Sequence, residues 1–263
     1  MAPLVIEAYE PPVVILTLNE PARANPLSAG MAERLTDALG RAAANPNIRG
    51  VVITGAGRHF SAGADLAALQ TIAAGGDPEA NLADSKRLER LFATVLDLPV
   101  VTIAAVHGAA IAGGCGLASA CDFVVAERSA RFAYTEVLIG FIPALVSTFL
   151  TRRVPGHVAR KLLLDPERIS GESAVAIGLA DELVDDGLAV TRATEWVRTI
   201  ARKASPSGIA ETKRILNAVC GLGWREALSV AAEANARQRL APDCRRGVRT
   251  FLETKHTPNW NET

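Results

Sequence analysis

The sequence VVTIAAVHGAAIAGGCGLA, residues 100–118, joins a continuous apolar run to a segment of glycine and other small residues. Residues 100–106 are rich in apolar and β-branched side chains without alternation, which is typical of a strand buried on both faces in a layered α/β core. A helix beginning near Gly113 would point its first N–H outward, with the positive end of the helix dipole behind it. The stretch therefore predicts an α/β fold with a possible backbone donor after a core strand. Close packing of the helix on the strand is the alternative interpretation.

A second buried strand, RGVVITG at 49–55, is also followed by a small-residue loop, GRHFSAGADL at 57–66. Small side chains let a ligand approach the main chain, where a free N–H can bind an anion or an oxyanion. The glycines form neither GxGxxG nor a P-loop, so a nucleotide-phosphate site lacks its motif. An ordinary tight turn explains this loop alone equally well, but two such loops after two core strands favour a paired donor site.

A third segment, FAYTEVLIGFIP at 132–143, places Glu136 alone in an apolar run. Burying an unpaired carboxylate is costly, so Glu136 is expected to be paired, exposed by a turn, or retained for acid/base chemistry with a raised pKa. From the residues alone, a surface or paired glutamate is favoured over one retained for acid/base chemistry.

Bulk composition excludes several classes of function. The 263 residues contain 28 basic and 28 acidic side chains and 5% aromatics, which gives no reason to expect nucleic acid as a partner. No apolar run is long enough to span a bilayer, so no membrane is expected and a cytoplasmic location is the default. The four cysteines are scattered, and neither a metal site, a disulfide framework nor a redox cofactor is predicted.

Hydrophobic periodicity predicts an opening strand pair at 4–9 and 13–19, then a helix capped by Ser28 and stopped at Asn45-Pro46. Another helix is expected over 80–96, after the break at 75–78. Further helices are predicted at 158–164, 188–203, 207–219, 224–240 and 244–253. The chain is accordingly divided into an α/β core at 1–190 and a helical C-terminal region at 191–263.

The ordered motifs GRxFSAGADL, HGxxxAGGCGLAxxCDF and FxxTEVxIGFIP resemble the enoyl-CoA hydratase/isomerase, or crotonase, family. The resemblance extends from Asn19-Glu20-Pro21 to the C-terminal TFLETKHTPNW. It implies a crotonase-type spiral of ββα units with a helical C-terminal trimerisation region, and a homotrimer or a dimer of trimers. The implied partner is an acyl-CoA thioester, so coenzyme A is part of the substrate and no separate cofactor is expected.

The resemblance places the two oxyanion N–H donors on Ala64 and Gly113 and the catalytic glutamate on Glu136. Two N–H groups on a thioester carbonyl would acidify its α-carbon, and Glu136 would move the proton. The residues proposed to contact CoA are Arg23, Arg58, Ala62, Asp65, Leu66 and Lys255. From the residues alone, Asp65 and Asp122 are expected to bind backbone N–H groups, and His107 to pack or bond to backbone.

The sequence departs from many family hydratases at Gly116, where those enzymes carry a second glutamate. Hydration of a 2-enoyl-CoA is the leading prediction, and conversion of a 3-enoyl-CoA to a 2-enoyl-CoA by one glutamate is the alternative. Ala144 stands where dienoyl-CoA isomerases carry an aspartate, which argues against that activity. A dehalogenase of this family would need a nucleophilic aspartate, and this chain has none at the matching positions. A CoA-binding scaffold without turnover is the alternative of another class.

Overall fold

The computed structural model describes residues 2–62 and 65–261. Its strands are β1 (Val5–Glu10), β2 (Val13–Leu18), β3 (Gly50–Gly55), β4 (Val101–Val106), β5 (Ala109–Ile111), β6 (Phe123–Glu127), β7 (Arg131–Ala133), β8 (Ile169–Ser170) and β9 (Glu182–Val184). Its α-helices are α1 (Ala29–Ala44), α2 (Leu66–Ala73), α3 (Pro78–Asp97), α4 (Gly113–Ala120), α5 (Ala144–Ser147), α6 (Gly156–Leu164), α7 (Gly171–Ala176), α8 (Ala189–Lys203), α9 (Pro206–Ala218), α10 (Trp224–Gln238) and α11 (Pro242–Thr254). Short 3₁₀ turns lie at Pro21–Arg23, Glu136–Ile139 and Leu150–Arg152.

The larger sheet has the strand order β1-β2-β3-β4-β6-β9, and the smaller sheet has the order β5-β7-β8. Strands β1 and β2 form an antiparallel pair, whereas the pairs from β2 through β9 in this sheet are parallel. The carboxyl ends of β3 and β4 therefore meet at one edge, where ligands bind in parallel α/β sheets. Both glycine-containing loops leave the sheet at this edge.

The two faces of the larger sheet are covered by different helices, because alternate residues of each strand point to opposite faces. Helices α1, α3 and α4 pack in the main hydrophobic core against strand residues such as Ile53 and Val106. On the other face, Val197 of α8 packs in a second buried cluster with Val52 and Ile103. A Cβ at Gly50 would lie 2.5 Å from a methyl group of Val197. The glycine thus allows α8 to lie directly on β3.

The long elements agree with the sequence prediction. The Ser28 side chain accepts a hydrogen bond from the N–H of Met31, and α1 ends at Asn45 as expected. Each predicted helix after residue 156 is present, with ends within two residues of the prediction. Strand β6 and the short strands β5, β7, β8 and β9 were not predicted, because most of them span only two or three residues and carry too little pattern.

The helical C-terminal region is joined to the sheet by a nearly buried lysine. Lys213 of α9 donates to Asp122 Oδ2 at 2.6 Å and to the carbonyl of Val100 at 2.9 Å. The same Asp122 oxygen accepts from the N–H and hydroxyl of Thr102, which confirms its predicted role in binding backbone. Within the described residues, no helix is long and apolar enough to cross a membrane.

Candidate active site

The first and second glycine-containing loops lie side by side and are joined through their backbones. The N–H of Phe60 donates to His107 O at 3.0 Å, and the N–H of Ser61 donates to Ala109 O at 3.1 Å. In the reverse direction, the N–H of Ile111 donates to Ser61 O at 2.9 Å. The structure therefore brings together two segments that are about fifty residues apart in sequence.

Two glycines of the second loop permit this close approach. A Cβ at Gly108, which has φ of +54°, would lie 2.1 Å from Arg58 O, and a Cβ at Gly114 would lie 2.1 Å from Ser61 O. Neither contact leaves room for a side chain. At Gly113 the nearest atom would be a Leu27 methyl group at 3.5 Å, which is ordinary van der Waals contact.

Asn25 is hydrogen-bonded to the first loop. Its side chain is fully buried and its backbone has φ of +54°. Its Nδ2 group lies 2.9 Å from Ala56 O and 2.8 Å from His59 O, while its own carbonyl accepts the hydroxyl of Ser61 at 2.7 Å. An asparagine tolerates this left-handed conformation and satisfies buried carbonyls that water does not reach.

Helix α4 begins at Gly113 as predicted. The N–H of Gly113 has no acceptor within the described residues, as expected for the first position of a helix. The preceding Ala112 has φ of 52° and ψ of −122°, a region that favours glycine and strains an alanine. Its N–H donates to Ala133 O at 2.8 Å. The peptide that carries the Gly113 N–H is thus held in an unusual orientation.

Glu136 follows β7 and opens a 3₁₀ turn. Its Oε2 atom is buried and has no hydrogen-bond partner in the described part of the chain. Burial raises the pKa of Glu136 above its ordinary value, and the backbone N–H groups of Glu136 and Thr135 offset only part of this effect. Among the three alternatives for this carboxylate, the structure shows neither an ion pair nor a fully exposed turn. What it shows is a desolvated carboxylate suited to proton transfer.

The position of the missing second carboxylate is filled by apolar side chains. Gly116 of α4 is buried, and a Cβ there would lie 2.7 Å from Val146 Cγ2 and 3.3 Å from Phe92 Cζ. A side chain at this position would require the Val146 or Phe92 side chain to shift. The single-carboxylate site is therefore a consequence of packing as well as of sequence.

The predicted CoA contacts are partly grouped in space. Arg23 donates to Asp65 Oδ1 at 2.9 Å and to Glu20 at 2.7 Å, and Asp65 accepts from the N–H of Ala67 at the start of α2, which confirms its predicted capping role. Ala62 lies in the same region, but its N–H is already bonded to the carbonyl of Ala24. The predicted donor Ala64 and the side chain of Leu66 lie outside the described residues.

Arg58 and Lys255 are both exposed. The Lys255 ammonium donates to Leu252 O of its own helix at 3.3 Å, and no described contact brings it to the loops. His107 donates from Nε2 to Gly57 O at 3.1 Å, which agrees with its predicted structural role. No group of His, Cys, Asp and Glu that could hold a metal ion occurs in residues 2–62 and 65–261.

Sequence reasoning missed residues that support the site from behind, namely Asn25, Tyr134 and Ser119. Asn25 lies two residues after the selected Arg23, in the same NEPARAN segment, but its fold-specific backbone conformation is not visible in sequence. Tyr134 and Ser119 contact each other across fifteen residues of chain. Only the fold shows that they meet.

Comparison with known proteins identifies first the fold and then the family. A solved enoyl-CoA hydratase from Mycobacterium smegmatis superposes with a TM-score of 0.89 over 98% of this chain and 99% of that chain, at 31% identity. The fold is thus the crotonase fold. The sequence profile of the Enoyl-CoA hydratase/isomerase family matches residues 9–263. The chain belongs to the enoyl-CoA hydratase/isomerase family.

Among the similar family members, some are named hydratases and at least one is named an isomerase. A Thermus thermophilus protein named "Putative enoyl-CoA hydratase" is 43% identical over 92% of this chain and 95% of its own length. The 1,2-epoxyphenylacetyl-CoA isomerase of Escherichia coli is 30% identical over 99% of both chains. Lyase and isomerase chemistry are therefore both found among the relatives.

Proposed function

We propose that the protein hydrates a 2-enoyl-CoA to a 3-hydroxyacyl-CoA, with Glu136 as its acid/base residue. The observation that carries the proposal is the buried Oε2 of Glu136, which has no hydrogen-bond partner in the described part of the chain. The proposed oxyanion donor is the N–H of Gly113 at the start of α4. Relatives named as hydratases support the choice of reaction.

In the proposed mechanism the thioester oxygen accepts hydrogen bonds from the N–H groups of Gly113 and Ala64. The Glu136 carboxylate removes a proton from water as the water oxygen bonds to C3. The π electrons move toward the thioester oxygen and form an enolate. Protonated Glu136 then returns the proton to C2, which balances the addition of one water. A donor of this kind is worth about 3 kcal/mol of transition-state stabilisation.

Isomerisation of a 3-enoyl-CoA is the second candidate, and the apolar surroundings of Gly116 favour it. Val146 and Phe92 occupy the place where a second carboxylate would help to hold water. Here Glu136 would remove a proton from C2 of the 3-enoyl thioester and return it to C4, with no water consumed. One carboxylate is sufficient for this reaction.

An assay with two substrates separates these reactions. Purified protein is incubated with crotonyl-CoA and with a 3-enoyl-CoA, and the absorbance of the conjugated thioester is followed. Loss of absorbance with crotonyl-CoA supports hydration, whereas a gain with the 3-enoyl substrate alone supports isomerisation. Binding of CoA without turnover of either substrate, by wild type and by Glu136→Gln alike, would instead support a scaffold.

The CoA portion is proposed to bind along the rim formed by Arg23, Asp65 and Arg58. Arg23 is held in place by Glu20 and Asp65 and can present its remaining N–H groups to phosphate oxygens. Substitution of Arg58 by glutamine should raise KM and leave kcat unchanged, because a phosphate contact is the same in ground state and transition state. Lys255 is proposed to contribute from a neighbouring subunit.

The chain is further proposed to assemble as a homotrimer or a dimer of trimers through its helical C-terminal region. Trp224, Leu228, Phe251 and Leu252 of α10 and α11 are each more than half exposed, and apolar surface of this kind marks protein interfaces. Light scattering on the wild-type chain should give three or six copies. A Trp224→Glu, Leu228→Glu variant should shift the mass toward one copy, and a monomeric wild type would contradict the proposal.

A further inference from the structure

A buried tyrosine contacts helix α4 from the segment that carries Glu136. Tyr134 is 1% exposed, directly follows β7, and precedes Glu136 by two residues. Its phenol oxygen is 3.0 Å from the hydroxyl oxygen of Ser119, on the second turn of α4. The residue thus connects the segment of the proton-transfer group to the helix that begins with Gly113.

The direction of this hydrogen bond follows from the number of protons available. The Ser119 hydroxyl donates its one proton to Gly116 O at 3.0 Å. Because a serine hydroxyl has only one proton to donate, Tyr134 must be the donor to Ser119. The result is an ordered chain of buried hydrogen bonds that ends on the main chain of α4.

This link is the second of two anchors on the same helix. The first is the hydrogen bond from the N–H of Ala112 to Ala133 O, at 2.8 Å. Ala112 and Ser119 are about 10 Å apart along the helix axis at the usual rise per residue. The first anchor acts at the start of the helix, and the second acts near its end. Together they hold both ends of α4 to the segment that leads to Glu136.

We propose that Tyr134 and Ser119 are positioning residues that set the Gly113 N–H relative to the Glu136 carboxylate. The inference rests on the proposed enolate chemistry, in which these two groups act on the same thioester. Neither side chain touches the substrate. Both act by holding α4 in the orientation in which its first N–H meets the thioester oxygen.

The experiment uses Tyr134→Phe, which removes the phenol oxygen and retains the ring. Tyr9→Phe is the matched control, because Tyr9 is the other of the chain's two tyrosines, is 42% exposed and donates to Glu7 on the surface. Loss of the anchor should lower kcat about tenfold, since small misplacements of catalytic groups have effects of this order or larger. KM should change by less than about twofold, because the bound CoA contacts are retained.

Ser119→Ala removes the same link from the other side and should give the same loss. The double variant Tyr134→Phe, Ser119→Ala should be no slower than the slower single variant, because both changes remove one interaction. A change in thermal stability with kcat intact would show a merely structural role and overturn the proposal. If Tyr134→Phe does not fold, the Ser119→Ala variant decides the question.

A readout independent of turnover separates this inference from the proposed function. Acetoacetyl-CoA carries an acidic C2, and an oxyanion site converts bound ligand to its enolate, which absorbs in the near ultraviolet. Wild type and Tyr9→Phe should show the enolate band, and Tyr134→Phe should show a weaker one at saturation. Equal bands in all three proteins would overturn the positioning role alone. No band and no turnover in wild type would overturn the proposed function itself.

Discussion

The two halves of the candidate site are built in different ways. In the donor half, the loops around Ser61 and Gly114 are packed so closely that a Cβ at Gly114 would lie 2.1 Å from Ser61 O. In the proton-transfer half, Glu136 is followed by Leu138, Ile139, Phe141 and Ile142, each more than half exposed. The first half is fixed by backbone contacts, and the second presents one desolvated carboxylate at the start of a loosely packed segment.

This difference corresponds to two different chemical requirements. Electrostatic stabilisation needs donors that are already oriented before charge develops. Proton transfer needs a group whose pKa is matched to the task and which can reach more than one atom. Substitutions in the two halves should therefore fail in different ways.

The largest effect is expected from Glu136→Gln. It removes the proposed proton-transfer group and should lower kcat by about 10²- to 10⁴-fold. Steady-state kinetics with the better of the two enoyl-CoA substrates measures the loss. The control is Glu226→Gln on α10, an exposed glutamate far along the chain. Activity of Glu136→Gln equal to that of the control would remove the assigned role of Glu136.

Gly114→Ala should break the donor half by a steric route. The added Cβ clashes with Ser61, which should lower the free energy of unfolding by about 1–3 kcal/mol and kcat/KM by about 10- to 100-fold. Its neighbour supplies the control, since a Cβ at Gly113 makes only an ordinary contact at 3.5 Å. Chemical denaturation and kinetics on both variants test the contrast. If the two alanines behave alike, the close approach at Gly114 is not what orders the loop.

The pH dependence of activity and of stability tests the protonation state of Glu136. Burial raises the pKa of Glu136 above its ordinary value of 4.5. The decline of kcat/KM on the acid side should therefore begin at a higher pH than it would for an unperturbed glutamate. The same shift affects stability in the opposite direction: the protonated form favours folding at low pH, and this contribution is lost as pH rises through the raised pKa. Glu136→Gln should therefore melt above wild type at neutral pH, and the difference should shrink toward acid pH. A constant difference from pH 4 to 8 would contradict it.

Ala112→Gly should stabilise the donor half slightly. Ala112 has the dihedral angles of a glycine, so the substitution should relieve strain and raise the free energy of unfolding by about 1 kcal/mol. The freer peptide should also present the Gly113 N–H less reproducibly and lower kcat modestly. Ala109→Gly, at a neighbouring strand position without positive φ, should destabilise instead. A loss of stability at both positions would show that Ala112 is not strained.

The smallest effect is expected at the exposed end of the proton-transfer half. Leu138 and Ile139 are 66% and 63% exposed, so Leu138→Ser should change the free energy of unfolding of an isolated chain by less than about 0.5 kcal/mol. Denaturant titration at low protein concentration measures this. A much larger loss that depends on protein concentration would show that another subunit covers this segment.

The sequence was most informative where pattern alone determines structure. Continuous apolar strands, Ser28 as a helix cap and the start of α4 at Gly113 follow from local physical rules, and the order of three motifs placed the family. The positions of Asn25 and Ser119 follow from contacts between distant segments, so a single sequence does not contain them in readable form. The same holds for Gly116. The sequence shows a glycine where many family hydratases carry a glutamate, but it does not show that Val146 and Phe92 pack against this position.

The contact of Lys213 with Asp122 couples the stability of the helical C-terminal region to that of helix α4. Asp122 stands two residues beyond the end of α4, and Lys213, which is 9% exposed, bonds to it from α9. The tail and the sheet should therefore unfold as one cooperative unit. If subunits assemble through the tail as proposed, contacts between them would also stabilise, through this ion pair, the C-terminal end of the helix that begins with Gly113.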